Sequence, residues 1–237
     1  MCSRTSCVAA KVKPELVLPG ISLDSGKVAG LSADRRTLYE ARLVDGAVAA
    51  KRYTGTALSR PSWDRTGAIW FVDRGVGLVM VKDGQATTMP VAEMPTGVTD
   101  ADLISAAVSR DGTRMALLVG RGTRVEPLVA RIERVGDQVR VASPRRVEST
   151  LTEAVDLAWA DADTLAVLGT SGASSLEVLL LDVGSSRLRR VGAPEEAATL
   201  AAAPSRPVLI GAAGAIYRSS GSTWTKITEG QYPVYPG

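Results

Sequence analysis

Five short segments of this 237-residue chain share one pattern: a small or apolar approach, a polar turn, and then a β-type apolar run. They are "GLSADRRTLYEARL" from Gly30, "RPSWDRTGAIWFVD" from Arg60, "AAVSRDGTRMALLV" from Ala106, "LAWADADTLAVLGT" from Leu157 and "AAAPSRPVLIGAAG" from Ala201. The turn residues are Asp34, Asp64, Asp111, either Asp161 or Asp163, and Ser205, and with Asp161 the steps are 30, 47, 50 and 44 residues. A period of about 40 to 50 residues built from strands is that of a propeller blade, a unit that buries its faces only when stacked on its neighbours.

Between these turns lies a second recurring element, an apolar strand followed by a tight turn and another strand. It is seen in "LYEARLVDGAVAAKRY", "GLVMVKDGQATTMPV", "LVARIERVGDQVRVA", "LEVLLLDVGSSRLRRV" and, more loosely, "AIYRSSGSTWTKITEG". Asp45-Gly46 and Asp83-Gly84 are strong hairpin signals, because such pairs tolerate the positive φ of a two-residue hairpin. Runs such as residues 115–119 (MALLV) and 178–181 (VLLL) are continuously apolar, as strands covered on both faces require. The expected fold is an all-β β-propeller of mostly four-stranded antiparallel blades. Five blades are expected, or six if residues 14–24 belong to a partial blade. The propeller domain is expected to span residues 14–237, with residues 1–13 expected as a flexible leader. The first repeat is one strand short, and "PELVLPGISLD" (residues 14–24) is expected to close the ring against the last blade.

Composition narrows the chemistry. The chain has no histidine, which removes the usual general base near neutral pH and excludes histidine-dependent nucleophilic triads within it. Cys2 and Cys7 are its only cysteines, too few for a structural zinc site. Arginine makes up 22 of the 28 basic residues, but these are interspersed with acidic residues and the net charge is only +3, so no nucleic-acid partner is expected. No run of about 18 apolar residues is present to cross a bilayer as a helix.

The motifs that resemble sites read better as structure. "SWDRTGAIW" sets a carboxylate between two tryptophans, and its spacing is close to the aspartate-box turn of some glycan-cleaving propellers, with one residue too many. Because the same turn recurs, Asp34, Asp64, Asp111 and Asp161 are expected to be turn clamps, accepting backbone N–H groups about two residues on. Trp63 and Trp70 are then packing residues. "GRGTRV" from Gly120 lacks the third glycine of a dinucleotide loop and reads as a connection between strands. Asp161-Ala162-Asp163 lacks the remaining ligands of a calcium loop. No catalytic residue, metal or cofactor is expected.

Three strings carry a resemblance to a known family: "RPSWDRTGAIWFVD" (residues 60–73), "SRDGTRMALLV" (residues 109–119) and the ending "YPVYPG" (residues 232–237). Together with the repeat, they resemble the C-terminal propeller domain of the actinobacterial LpqB lipoproteins. That resemblance implies an exported parent protein, lipid-anchored on the outer face of the cytoplasmic membrane, with a further domain ahead of its propeller. It implies a non-enzymatic module whose partner is the extracytoplasmic sensor region of the Mtr two-component histidine kinase. Neither Cys2 nor Cys7 follows the approach expected of a lipidation site, so the anchor is expected upstream, and the chain as either an excised domain or a shortened reading frame. Expected contact positions are Met94, Pro95, Asp100 and Asp102, in the irregular segment 89–102, together with Arg145 and Arg146. The alternatives are a glycan-active hydrolase or lyase using channel carboxylates, or a passive carbohydrate-binding propeller with exposed aromatics.

Overall fold

The computed structural model describes residues 13–43, 49–136, 138–147, 149–172, 175–185 and 187–236. It is a five-bladed β-propeller. Blade 1 comprises β1 (Val17–Ile21), β2 (Lys27–Leu31), β3 (Thr37–Arg42) and β4 (Ala50–Thr54). Blade 2 comprises β5 (Ser62–Trp63), β6 (Ile69–Asp73), β7 (Gly77–Lys82) and β8 (Gln85–Thr88). A two-residue strand, β9 (Val91–Ala92), precedes blade 3, which comprises β10 (Leu103–Val108), β11 (Arg114–Arg121), β12 (Arg124–Val135) and β13 (Gln138–Arg146). Blade 4 comprises β14 (Glu153–Trp159), β15 (Thr164–Thr170), β16 (Glu177–Asp182) and β17 (Leu188–Gly192). Blade 5 comprises β18 (Ala197–Ala201), β19 (Leu209–Ala212), β20 (Ala215–Ser220) and β21 (Thr223–Glu229). Each blade is an antiparallel meander, and blade 3 gains a fifth strand because β9 pairs in parallel with β13 at its outer edge.

The innermost strands are β1, β5, β10, β14 and β18, each touching the innermost strand of a neighbouring blade around the axis. Apolar faces stack between successive blades. Trp63, Phe71, Leu31 and Leu38 fill the space between blades 1 and 2, while Trp70, Met115, Leu117 and Leu128 fill that between blades 2 and 3. The continuously apolar runs are central strands, with all of residues 115–119 buried. Burying a side chain such as Phe71 contributes about 1.5–3 kcal/mol, and this repeated seam is what stabilises the ring. Asp83-Gly84 makes the expected two-residue hairpin, with φ of 50° and 79° and Lys82 facing Gln85. Asp45-Gly46 and the leader up to residue 12 lie outside the described residues.

The structure corrects two expectations about the first blade. Residues 14–24 do not donate a strand to the last blade, since β1 is the innermost strand of blade 1's own sheet. The seam between blades 5 and 1 is instead filled by the C-terminal segment. Pro236 bridges to Ile21, Val234 packs against blade 1, and Tyr235 packs against blade 5. The second correction concerns the repeat. Asp34 lies between the second and third strands of its blade, whereas Asp64, Asp111 and Asp161 lie between the first and second. The true counterpart in blade 1 is Asp24, which accepts the Ser22 hydroxyl and the Gly26 N–H just as Asp111 accepts the Ser109 hydroxyl and the Thr113 N–H. Moving the register from Asp34 to Asp24 lengthens the anomalously short first step to blade length.

Candidate functional site: the channel and its two mouths

In blades 1, 3, 4 and 5 the pairing of the first two strands shifts register near the start of the innermost strand. Such bulges re-aim side chains, and here the residues within them, Leu18, Ile104, Val155 and Ala198, line one mouth of the axial channel. In blade 2 the innermost strand is only two residues long, and Arg60 occupies the corresponding stretch.

The channel widens into two cavities, with Arg60 and Ser105 lining both. The larger, about 400 Å³, opens on the side of the repeated acidic turns and is mostly apolar, walled by Pro61, Trp63, Trp159 and Tyr235. The indole of Trp63 donates to the Gly20 carbonyl of blade 1 at 3.0 Å, and that of Trp159 to the Ala107 carbonyl of blade 3 at 3.0 Å. Trp63, Trp70 and Trp159 are buried, and Trp224 packs against the seam of blades 4 and 5, so among the described residues these tryptophans serve the fold rather than an exposed aromatic platform. The smaller cavity, about 200 Å³, opens on the opposite side between Arg35, Arg74 and Val155.

Two aspartate–arginine pairs are buried in the ring. At the channel waist, Arg60 Nη1 lies 3.0 Å from Asp156 Oδ2 and also donates to the Leu200 carbonyl. Asp156 accepts further bonds from the N–H groups of Leu157 and Leu200, at 3.0 and 2.8 Å. Burial nevertheless pushes its carboxyl above the ordinary aspartate range, outweighing Arg60 and those backbone donors. The second pair is Asp64 with Arg134 Nη2, at 2.8 Å.

Asp64 does more than the sequence reading assigned to it. Its Oδ1 accepts the N–H and hydroxyl of Thr66 and the N–H of Ala68, while its Oδ2 accepts the Trp70 indole at 2.9 Å and Arg134. Burial opposes ionisation, yet these donors hold the carboxyl below its usual range. In its backbone bonds, to the Ala68 carbonyl and from Gly67, it stands where Ser109 stands in blade 3, so one carboxylate replaces a serine–aspartate couple in a turn one residue shorter.

The remaining predicted clamps divide. Asp34 and Asp111 hold their turns as expected. Among the described residues Asp161 accepts only the adjacent Ala162 N–H. The blade 4 turn is held instead from blade 3, where Arg114 pairs with Asp163 at 2.8 Å, donates to the Ala162 carbonyl and stacks 5.1 Å from the Trp159 ring centre.

The expected contact segment is folded onto blade 3. Met94 packs beside the seam of blades 2 and 3, and the Pro95 carbonyl accepts the Val98 N–H. Asp100 accepts the Val91 N–H, and Asp102 accepts both the N–H and the hydroxyl of Thr99. All four are half-buried and engaged, whereas Arg145 and Arg146 are exposed, the latter pairing with Glu126 at 3.1 Å. No cluster of three or more potential metal ligands occurs among the described residues. No helix there is long and apolar enough to cross a membrane.

Comparison with known proteins agrees with this architecture. Residues 3–236 match the family model described as the lipoprotein LpqB beta-propeller domain. The chain is 30% identical over 243 residues to lipoprotein LpqB of Streptomyces coelicolor, covering 92% of this chain and 38% of that protein. It is 30% identical over 212 residues to lipoprotein LpqB of Mycobacterium tuberculosis, covering 81% of this chain and 35% of that protein. The chain therefore spans well under half the length of these relatives. Among solved structures, TolB from Acinetobacter baumannii superposes with a TM-score of 0.63 at 16% identity, over 92% of this chain and 55% of that one, a likeness of fold alone.

Proposed function

This chain belongs to the lipoprotein LpqB β-propeller domain family, and from that premise we propose that it is a non-enzymatic interaction module of an envelope lipoprotein. Its partner in this reading is the extracytoplasmic sensor region of a two-component histidine kinase, the Mtr system. The family match over residues 3–236 carries the proposal. The parent protein is held on the outer face of the membrane by a lipidated cysteine upstream of this domain. Binding that favours one state of the kinase shifts its activity by population, without chemistry in the propeller.

The engagement of the carboxylates supports a binding rather than a catalytic role. Asp64, Asp73 and Asp156 are buried and occupied with the fold. Asp73, for example, accepts the Tyr53 hydroxyl and the N–H groups of Thr56 and Ala57, and burial together with this carboxylate pushes the Tyr53 phenol up to about 12. Since residues 94–102 are tied down, the contact surface centres on Arg145 and Arg146, at the end of β13. Arg121 and Arg124, in the neighbouring hairpin, extend it into a basic rim suited to an acidic partner surface.

The purified chain titrated with the kinase sensor domain should give saturable binding that weakens with salt and with the double substitution Arg145→Glu/Arg146→Glu. Absence of saturable binding at high micromolar concentration would overturn the partner. Binding indifferent to that double substitution would overturn the surface.

A further inference from the structure

The guanidinium of Arg60 is only half used. Its Nη1 serves Asp156 and the Leu200 carbonyl, but Nε and Nη2 are buried without a partner in the protein. These two atoms form one edge of the guanidinium, with parallel N–H groups spaced to meet two oxygens of a carboxylate or phosphate. An enclosed arginine edge without a protein acceptor is met by water or by a guest, and a guest that brings two oxygens matches both N–H groups at once.

The smaller cavity, which Arg60 helps to line, is matched in charge. The 200 Å³ mouth is lined by three arginines, Arg35, Arg60 and Arg74, and by a single carboxylate, Asp156. Arg35 and Arg74 are exposed at the rim and make no salt bridge among the described residues. They come from the corresponding turns of blades 1 and 2, between second and third strands, so the ring converges them on Arg60 at the waist. With Asp156 ionised, the lining carries two positive charges in excess.

We propose that this mouth is a binding site for a small polyanion bearing phosphate or carboxylate groups. One oxyanion is received side-on by the Nε/Nη2 edge of Arg60, the guanidinium turning toward the cavity, and the remaining charge is met by Arg35 and Arg74. A volume of this size admits a small oxyanion ligand rather than a folded segment. Because Asp156 competes for the same guanidinium, the site is weakened by its own structural partner. The site is separate from the basic rim on blade 3, so its failure and that of kinase binding are distinguishable.

The test is calorimetric titration of the full chain with pyrophosphate and, in parallel, with citrate, each against chloride at matched ionic strength. Saturable one-to-one binding is expected, and the stronger arm identifies the headgroup. The exposed pair Arg35→Gln/Arg74→Gln should weaken binding by about tenfold or more while leaving the unfolding midpoint of the free protein unchanged. Asp156→Asn should tighten it, an outcome that a purely structural Arg60 would not give. Arg189→Gln, an exposed position on β17, should leave it unaltered. Heats that match chloride, no saturation up to about 10 mM of either anion, or equal affinity in the Arg35/Arg74 variant would overturn the site.

Discussion

The two buried aspartate–arginine pairs resemble each other in composition and differ in how they are satisfied. Asp64 is met by donors from Thr66, Ala68, Trp70 and Arg134, and its carboxyl is held low. Asp156 is also buried but among the described residues has only Arg60 and two backbone N–H groups, and its carboxyl is pushed up. Asp156 carries the heavier desolvation and meets it with fewer donors, and that balance sets the opposite directions. The first pair clamps the turn of blade 2 against blade 3. The second leaves an arginine with unspent donors beside a channel.

The largest effect should come from removing the better-satisfied carboxylate. Asp64→Ala leaves the Trp70 indole and the Ala68 N–H without their acceptor and Arg134 with the Gly112 carbonyl alone, and should destabilise the fold by about 3–5 kcal/mol, read from urea unfolding. Replacing both members of each pair by apolar residues should then separate the two. Arg60→Met/Asp156→Leu should be neutral or stabilising by about 1–3 kcal/mol, whereas Arg134→Met/Asp64→Leu should still destabilise, because the turn loses its acceptor. If both double variants respond alike, the comparison collapses.

Stability against pH offers a subtler test, with opposite signs at the two sites. Asp64 has a lowered folded value, so its contribution is present above the ordinary aspartate value of 3.8 and is lost as pH falls through the lower folded one. Asp156 has a raised folded value, so stability falls as pH rises from 3.8 through the folded value. Asp64→Asn should flatten the acid limb of the unfolding midpoint against pH, and Asp156→Asn the limb above it. The smallest effect sets a baseline: Lys226→Gln, which breaks an exposed pair with Glu229, should leave the urea unfolding midpoint nearly unchanged.

What was legible in the sequence was local. The Asp83-Gly84 hairpin follows from backbone preferences of two residues, and the apolar runs of β11 and β16 follow from burial on both faces. The turn at Asp34 was also read correctly as a turn, but it was given the wrong place in the repeat. Ser22-x-Asp24 and Ser32-x-Asp34 look alike as strings, and only strand pairing shows that the former follows the innermost strand. Segment 89–102 read as an open loop because the parallel pairing of β9 with β13 joins distant residues and leaves no period in the sequence.

The sequence by itself determined that this chain is a ring of antiparallel blades without histidine chemistry, and the strings that marked its family are the ones that hold the ring. "SWDRTGAIW" supplies the clamp and two seam tryptophans, and "YPVYPG" supplies the segment that fills the last seam. Such features are encoded locally, in turn chemistry and apolar runs. The tertiary structure alone decided which charges meet. Arg60 and Asp156 lie on different blades, and Arg35 and Arg74 come from turns that look like ordinary solvated loops in the sequence. Closure of the ring brings them to one mouth, because a propeller converts distant repeats into neighbours around a common axis.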